Sequence, residues 1–287
     1  MRDASPEAHF EALFRRRPAL EACRRDIWAA YELLRDCFAN GGKLLLCGNG
    51  GSCADCDHIA GELMKSFMRP RPLPDESRRA LREADPDGGA AVFGGAAADS
   101  TDYGNAAHDG AAADGRAEKS GAFCGNADRN GAVADGRIEN STVSGGVVLR
   151  GRAERNVASS YGDMLGTELQ GTLRAVNLCG HQALSSAIAN DMRPALIYAQ
   201  QTLALGDAGD VLMGLSTSGQ AENVYYALIA ARAAGMKTVG LTGAGGGRMA
   251  RLCDVAIRVP AEQTYEIQEY HLPVYHTLCA MLEARFF

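Results

Sequence analysis

Leu44-Leu45-Leu46-Cys47-Gly48-Asn49-Gly50-Gly51-Ser52 is the stretch from which the fold follows. Its opening apolar run shows no polar alternation, which predicts a strand buried on both faces, as in a parallel sheet covered by helices. The run breaks at once into glycines. From Ser52, which reads as an N-cap, to about Phe67 the pattern predicts a helix. A strand, a Gly-rich turn and a helix in that order can seat an anion, because glycines let the backbone come close and the free N–H groups at a helix start point at the ligand. The same order also describes a plain tight turn. It is not the dinucleotide fingerprint, since GxGxxG requires a glycine where Cys53 stands.

Upstream, Phe10, Leu13, Phe14, Ile27, Ala30, Leu33, Leu34 and Phe38 fall at helical spacing, and Gly41-Gly42 ends the pattern, so one or two helices lead into the strand. Downstream, apolar runs recur at 175–179, 211–215, 238–241 and 255–259, with helix-like segments at 222–234 and 248–253 and a last helix from about 265 to 287. Strands alternating with helices predict an α/β fold, a doubly wound parallel sheet flanked by helices.

Residues 88–158 break this grammar: 31 of the 71 are Gly or Ala, and the apolar period vanishes. So few large apolar side chains do not offset the entropy of ordering the chain. The expectation is one domain over 1–287 carrying a Gly/Ala-rich, irregular insertion at 88–158.

The composition, 46% hydrophobic in 287 residues, is ample for a core. A formal charge of -6 offers no basic surface for nucleic acid, whose binding needs concentrated Lys and Arg. No apolar run reaches the roughly 18–20 residues of a membrane span, and the first residues carry no hydrophobic signal core, so a cytoplasmic protein is expected. Nine cysteines, an odd number scattered through apolar segments, predict reduced thiols. Cys53 and Cys56 have CxxC spacing, but with no second pair at matching spacing they read as packing residues.

A second loop, Ser216-Thr217-Ser218-Gly219-Gln220, again follows a strand and precedes a helix. Alone it reads as a cap with solvated neighbours. Two such loops at the carboxyl ends of strands in one open sheet favour a ligand, and hydroxyls with free N–H groups can hold phosphate without a fixed cation. His58 and Glu62 lie four apart on one helix face, and Gln268 and His276 eight apart, about two turns, on the last helix. Each pair alone reads as a surface contact; together they form a His/Glu/Gln/His set suited to a divalent metal or to acid–base work at one carbon.

With these residues in view, the sequence resembles the sugar isomerase (SIS) fold and, within it, the phosphoheptose isomerase family. The resemblance covers about 1–87 and 159–287, through CGNGGSCADCDHIAGELMKSF (47–67), ANDM (189–192), ALGDAGDVLMGLSTSGQAENV (204–224), GLTGAGGGRMARLCDVAIRVP (240–260) and QEYHLPVYHTLCAMLE (268–283). It implies isomerisation of sedoheptulose 7-phosphate through an enediol, with Glu62 as base and His276 as its acid/base partner. It implies phosphate contacts at Ser52, Ser216, Thr217 and Ser218, with Asn49, Gly50, Gly51, Asp191 and Gln268 completing the substrate site. Some members hold zinc through His, Glu, Gln and His, which maps onto His58, Glu62, Gln268 and His276. A homotetramer is implied as well. Two departures stand out: the insertion, and Gln220-Ala221 where the family usually has Asn-Ser, which removes one hydroxyl near the phosphate. The competing expectation is a non-catalytic phosphosugar-binding protein of the same fold, such as a tetramer that associates with a replication initiator; a complete Glu62/His276 pair argues against it.

Overall fold

The computed structural model describes residues 4–85 and 160–287; the stretch expected to loop out, 88–158, lies outside the described residues. The described elements are α1 (Pro6–Arg16), α2 (Arg24–Ala39), β1 (Leu44–Gly48), α3 (Gly51–Met64), α4 (Asp75–Glu83), α5 (Tyr161–Glu168), β2 (Ala175–Asn177), α6 (Gln182–Asp191), α7 (Ile197–Leu205), β3 (Val211–Leu215), α8 (Glu222–Ala233), β4 (Lys237–Thr242), β5 (Val255–Arg258) and α9 (Thr264–Phe286). The five strands form one sheet in the order β2-β1-β3-β4-β5. Every pairing is parallel, with Leu44 opposite Ala175 on one side and Val211 on the other.

Side chains of successive strand residues point to opposite faces, and helices cover both. Leu44 and Leu46 enter a core built with α1, α2, α3 and α9 (Phe10, Ile27, Ile59, Tyr275), while Leu45 and Cys47 enter a second core with α7 and α8 (Tyr198, Val224, Leu228). All five residues of β1 and of β3 are buried. This two-sided burial is why β1 reads as an unalternating apolar run; each buried Leu contributes about 1.5–3 kcal/mol.

Chain connections leave β1 towards β2 on one side, and the chain returns to β3 on the other. The turns after β1 and β3 therefore sit side by side at the carboxyl edge, the place where open sheets of this kind bind ligands.

Three local expectations are corrected. Ser52 is not the N-cap of α3 but its second residue; the cap is Gly50, at φ 56° and ψ -122°, a conformation open to glycine. The helix stops at Met64 rather than near Phe67, because the N–H groups of Phe67 and Met68 are taken by the Glu283 carboxylate, each at 2.8 Å. Residues 248–253 form only a short 3-10 turn, Met249–Arg251, after Gly246 and Gly247 at positive φ. Among the described residues no helix is long and apolar enough to cross a membrane, and the eight described cysteines are free.

Candidate active site

The turn after β1 and the turn after β3 enclose a cavity of about 390 Å³, lined by Asn49–Ser52, Leu215–Ser218, Ala221, Thr264 and Gln268. Two opposite constraints shape the first turn. Gly50 has open space around it but needs its positive φ, whereas a Cβ on Gly51 would collide with the Gln268 amide. Asn49 is held by a reciprocal amide pair with Asn223: Asn49 Nδ2 donates to Asn223 Oδ1 at 2.9 Å, and Asn223 Nδ2 donates to Asn49 Oδ1 at 2.8 Å. Beneath it the buried Tyr198 hydroxyl donates to the Gly48 carbonyl at 2.6 Å.

The second turn is pinned by backbone. Ser216 N–H donates to Leu241 at 3.1 Å, Thr217 accepts from Gly243 N–H at 2.9 Å, and the Ser218 hydroxyl accepts from Gln220 N–H at 3.2 Å. Gly219, at φ +64°, lies so close to the Gly246 carbonyl that no Cβ fits.

Among the described residues lining the cavity none is charged. What it offers an anion is hydroxyls, amides and the starts of α3, α8 and α9, all of which reach it through Gly51, Ala221 and Thr264. Three helix starts direct partial positive charge and N–H groups to one place, which suits a phosphate.

A second constellation lies further along α3 and α9. Glu62 Oε1 stands 3.1 Å from His58 Nε2 and 3.1 Å from His276 Nε2, and the two imidazole nitrogens are 3.4 Å apart. The Glu62 side chain is 7% exposed, and its Oε2 is buried without a hydrogen-bond partner. His58, Glu62 and His276 are a group able to hold a metal ion. Atoms bound tetrahedrally to one zinc ion at about 2.0–2.1 Å stand roughly 3.3 Å apart, and the three separations here are of that size. A buried carboxylate with two imidazoles is also the donor chemistry zinc takes.

Asn49, Gly50, Gly51, Ser52, Ser216, Thr217, Ser218 and Gln268 thus line one cavity, and His58, Glu62 and His276 meet elsewhere. Asp191 does not join them: it ends α6, is exposed, and its Oδ1 accepts from Asn190 Nδ2 at 2.7 Å. Sequence reasoning missed Thr264, Asn223 and Tyr198 around the cavity. It also missed Asp55 and Tyr275 beside His58, although Asp55 lies three residues before His58 on a helix and Tyr275 adjoins His276.

A family model described as the SIS domain matches residues 155–243. The phosphoheptose isomerase of Rhodospirillum rubrum is 50% identical over 98 residues, 34% of this chain, and the match spans about half of that relative, 52% of its length. Phosphoheptose isomerase 1 of Campylobacter jejuni is 28% identical over 268 residues, which covers 93% of this chain and 91% of the relative. The solved structure of a phosphoheptose isomerase from Neisseria gonorrhoeae is similar at a TM-score of 0.55 and 25% identity over 96% of both chains.

Proposed function

We propose, taking this chain as a SIS-fold relative of the phosphoheptose isomerases, that it is an aldose–ketose isomerase of a sugar phosphate, with sedoheptulose 7-phosphate as its ketose. The observation that carries this reading is the contact of Glu62 with His276: a buried carboxylate 3.1 Å from an imidazole, with one oxygen unpartnered. A purely structural carboxylate at that depth would have both oxygens satisfied, since an unpaired buried acceptor costs about 1–3 kcal/mol.

The uncharged cavity between the two turns takes the phosphate on Ser52, Ser216, Thr217 and Ser218. Glu62 removes the proton from the carbon beside the carbonyl while the carbonyl oxygen takes a proton from His276, which gives an enediol, and Glu62 returns the carbon proton to the neighbouring carbon. His276 carries the matching proton between the two oxygens. Zinc fits His58, Glu62 and His276, and when bound it supplies Lewis acidity towards the carbonyl oxygen; Gln268, which the resemblance implies as a fourth group, lines the separate cavity of its own chain and reaches the cluster only from another copy.

Glu62 lies ten residues beyond Ser52 on α3, and His276 eight beyond Gln268 on α9, so the cluster is roughly 12–15 Å from the cavity along the helices. The side chains lean back towards the helix starts, but the phosphate would sit beyond those starts. An extended ketose phosphate reaches only about 8–9 Å from phosphorus to C2 at the usual advance per bond. This mismatch supports an oligomer in which one copy's phosphate seat faces another copy's Glu62 and His276, and the resemblance makes that oligomer a homotetramer. Light scattering that finds a fully active monomer would remove that part of the reading.

The central test is Glu62→Gln. We expect an unchanged circular dichroism spectrum and loss of sedoheptulose 7-phosphate turnover. Full activity in that variant would take Glu62 out of the mechanism, and a wild-type protein that binds ketose phosphates without converting them would make it a binding protein instead.

A further inference from the structure

We propose that Asp55 and Tyr275 form a hydrogen-bond relay that fixes the ring of His58 and presents its Nε2 lone pair to the point shared with Glu62 and His276, which makes both of them positioning residues for a divalent ion. The inference rests on the metal part of the reading above. The Tyr275 hydroxyl oxygen stands 3.1 Å from Asp55 Oδ1 and 3.2 Å from His58 Nδ1. A tyrosine hydroxyl has one proton, and a carboxylate can only accept. The hydroxyl therefore donates to Asp55, and its oxygen accepts from His58, whose proton must be on Nδ1.

The opposite assignment, with the hydroxyl donating to His58, would leave two oxygen acceptors facing each other at 3.1 Å with no proton between them. With the proton on Nδ1, a neutral His58 ring has its lone pair on Nε2. That atom is the one 3.1 Å from Glu62 Oε1 and 3.4 Å from His276 Nε2. Two acceptors, this lone pair and the Glu62 carboxylate oxygen, then face each other at 3.1 Å, and either a proton on His276 Nε2 or a cation must lie among the three atoms.

The relay is also rigid. Tyr275 is 1% exposed, and its ring meets the His58 and His276 rings edge-on at 5.5 and 5.0 Å. Asp55 Oδ2 is buried without a partner, so this carboxylate is turned inward although no cation pairs with it among the described residues. Asp55 and His58 are neighbours on one face of α3, while Tyr275 and His276 are consecutive on α9, so the relay also joins the two helices that carry the cluster.

The test is an equilibrium competition for zinc between the full chain and a chromogenic chelator. Loss of such supporting partners typically weakens metal affinity about 10–100-fold, and that is the loss expected for Tyr275→Phe and for Asp55→Ala. Asp55→Asn, which keeps an oxygen acceptor, should restore most of the affinity. In a His58→Ala background neither change should have any further effect. The relay is overturned if both Tyr275→Phe and Asp55→Ala bind zinc within about twofold of wild type, or if they lose as much affinity without His58 as with it. Should Tyr275→Phe fail to fold, the variants of the only partly buried Asp55 carry the comparison alone. Wild-type protein that binds zinc while the variants match it sinks only the relay. Wild-type protein that binds none yet isomerises in excess chelator sinks the relay and the metal together and leaves the isomerase reading standing.

Discussion

Arg71 and Glu283 meet as an ion pair, Nε to Oε1 at 2.7 Å, with side chains 0% and 1% exposed. All three guanidinium nitrogens and both carboxylate oxygens are engaged. Arg71 also donates to the carbonyls of Leu63 at 2.7 Å and Glu62 at 2.8 Å, and Glu283 accepts the N–H groups of Phe67 and Met68. The pair therefore ends α3, ties it to α9 and holds the backbone of the proposed base.

Arg71→Met should destabilise the protein by about 3–5 kcal/mol, because it strands a buried carboxylate. The double change Arg71→Met with Glu283→Leu should cost less than the single one, since no charge is then left alone, although the Phe67 and Met68 N–H groups still lack an acceptor. Urea denaturation of wild type, the two single variants and the double variant decides the point: strict additivity of the two single changes would mean that the pair does not act as a unit.

The two glycines of the first turn should respond to alanine in different ways. Gly50→Ala meets no atom but forces a side chain into a glycine-only conformation, so stability should drop by about 1–3 kcal/mol. Gly51→Ala is compatible with helical backbone but displaces the Gln268 amide, so KM should rise more than stability falls. Parallel denaturation and kinetic measurements separate the two, and an unchanged KM for Gly51→Ala would show that Gln268 does not shape the substrate seat.

The sheet was legible because its signals are local. Leu44–Cys47 announces a strand buried on both faces, and Gly48–Ser52 announces a turn into a helix, within nine residues of each other. The candidate site was legible to the same depth: His58 and Glu62 share a helix face by spacing alone. What could not be read depends on partners far away in the chain. The end of α3 is set by Glu283, 216 residues beyond Phe67, and Asn49 is held by Asn223, 174 residues on. Periodicity carries no trace of such contacts, which exist only after the helices have been placed. The relay from Asp55 through Tyr275 to His58 is of the same kind, half local and half across the core.

Ala221 stands where the resemblance expects a serine, and it is also the N-cap of α8, with no side-chain capping bond and with a place on the cavity wall. Ala221→Ser should therefore do two things at once. A serine cap stabilises a helix by about 0.5–2 kcal/mol over alanine. A hydroxyl reaching a bound phosphate adds about 0.5–1.5 kcal/mol, a several-fold drop in KM. A higher melting temperature with an unchanged KM would place the phosphate away from the start of α8.

His271 gives the protein a specific acid sensitivity. It lies on α9 at 0% exposure, and neither ring nitrogen has a well-formed hydrogen bond. Burial pushes its pKa down from 6.5 to about 4, offset only in part by the backbone of Thr242. Between those two values the unfolded chain binds the proton and the folded chain does not, so stability rises with pH across that window. The contribution is intact above about pH 6.5 and is lost progressively on acidification, by roughly 3 kcal/mol once pH 4 is reached. Other groups titrate there too, so the informative quantity is the difference between wild type and His271→Leu, which puts an apolar side chain where two ring nitrogens are buried without partners. That difference should be small near neutrality and should swing in favour of the variant as pH falls. Denaturation midpoints that move in parallel for the two proteins from pH 7 to 4 would mean that His271 is protonated in the folded state and has found a partner.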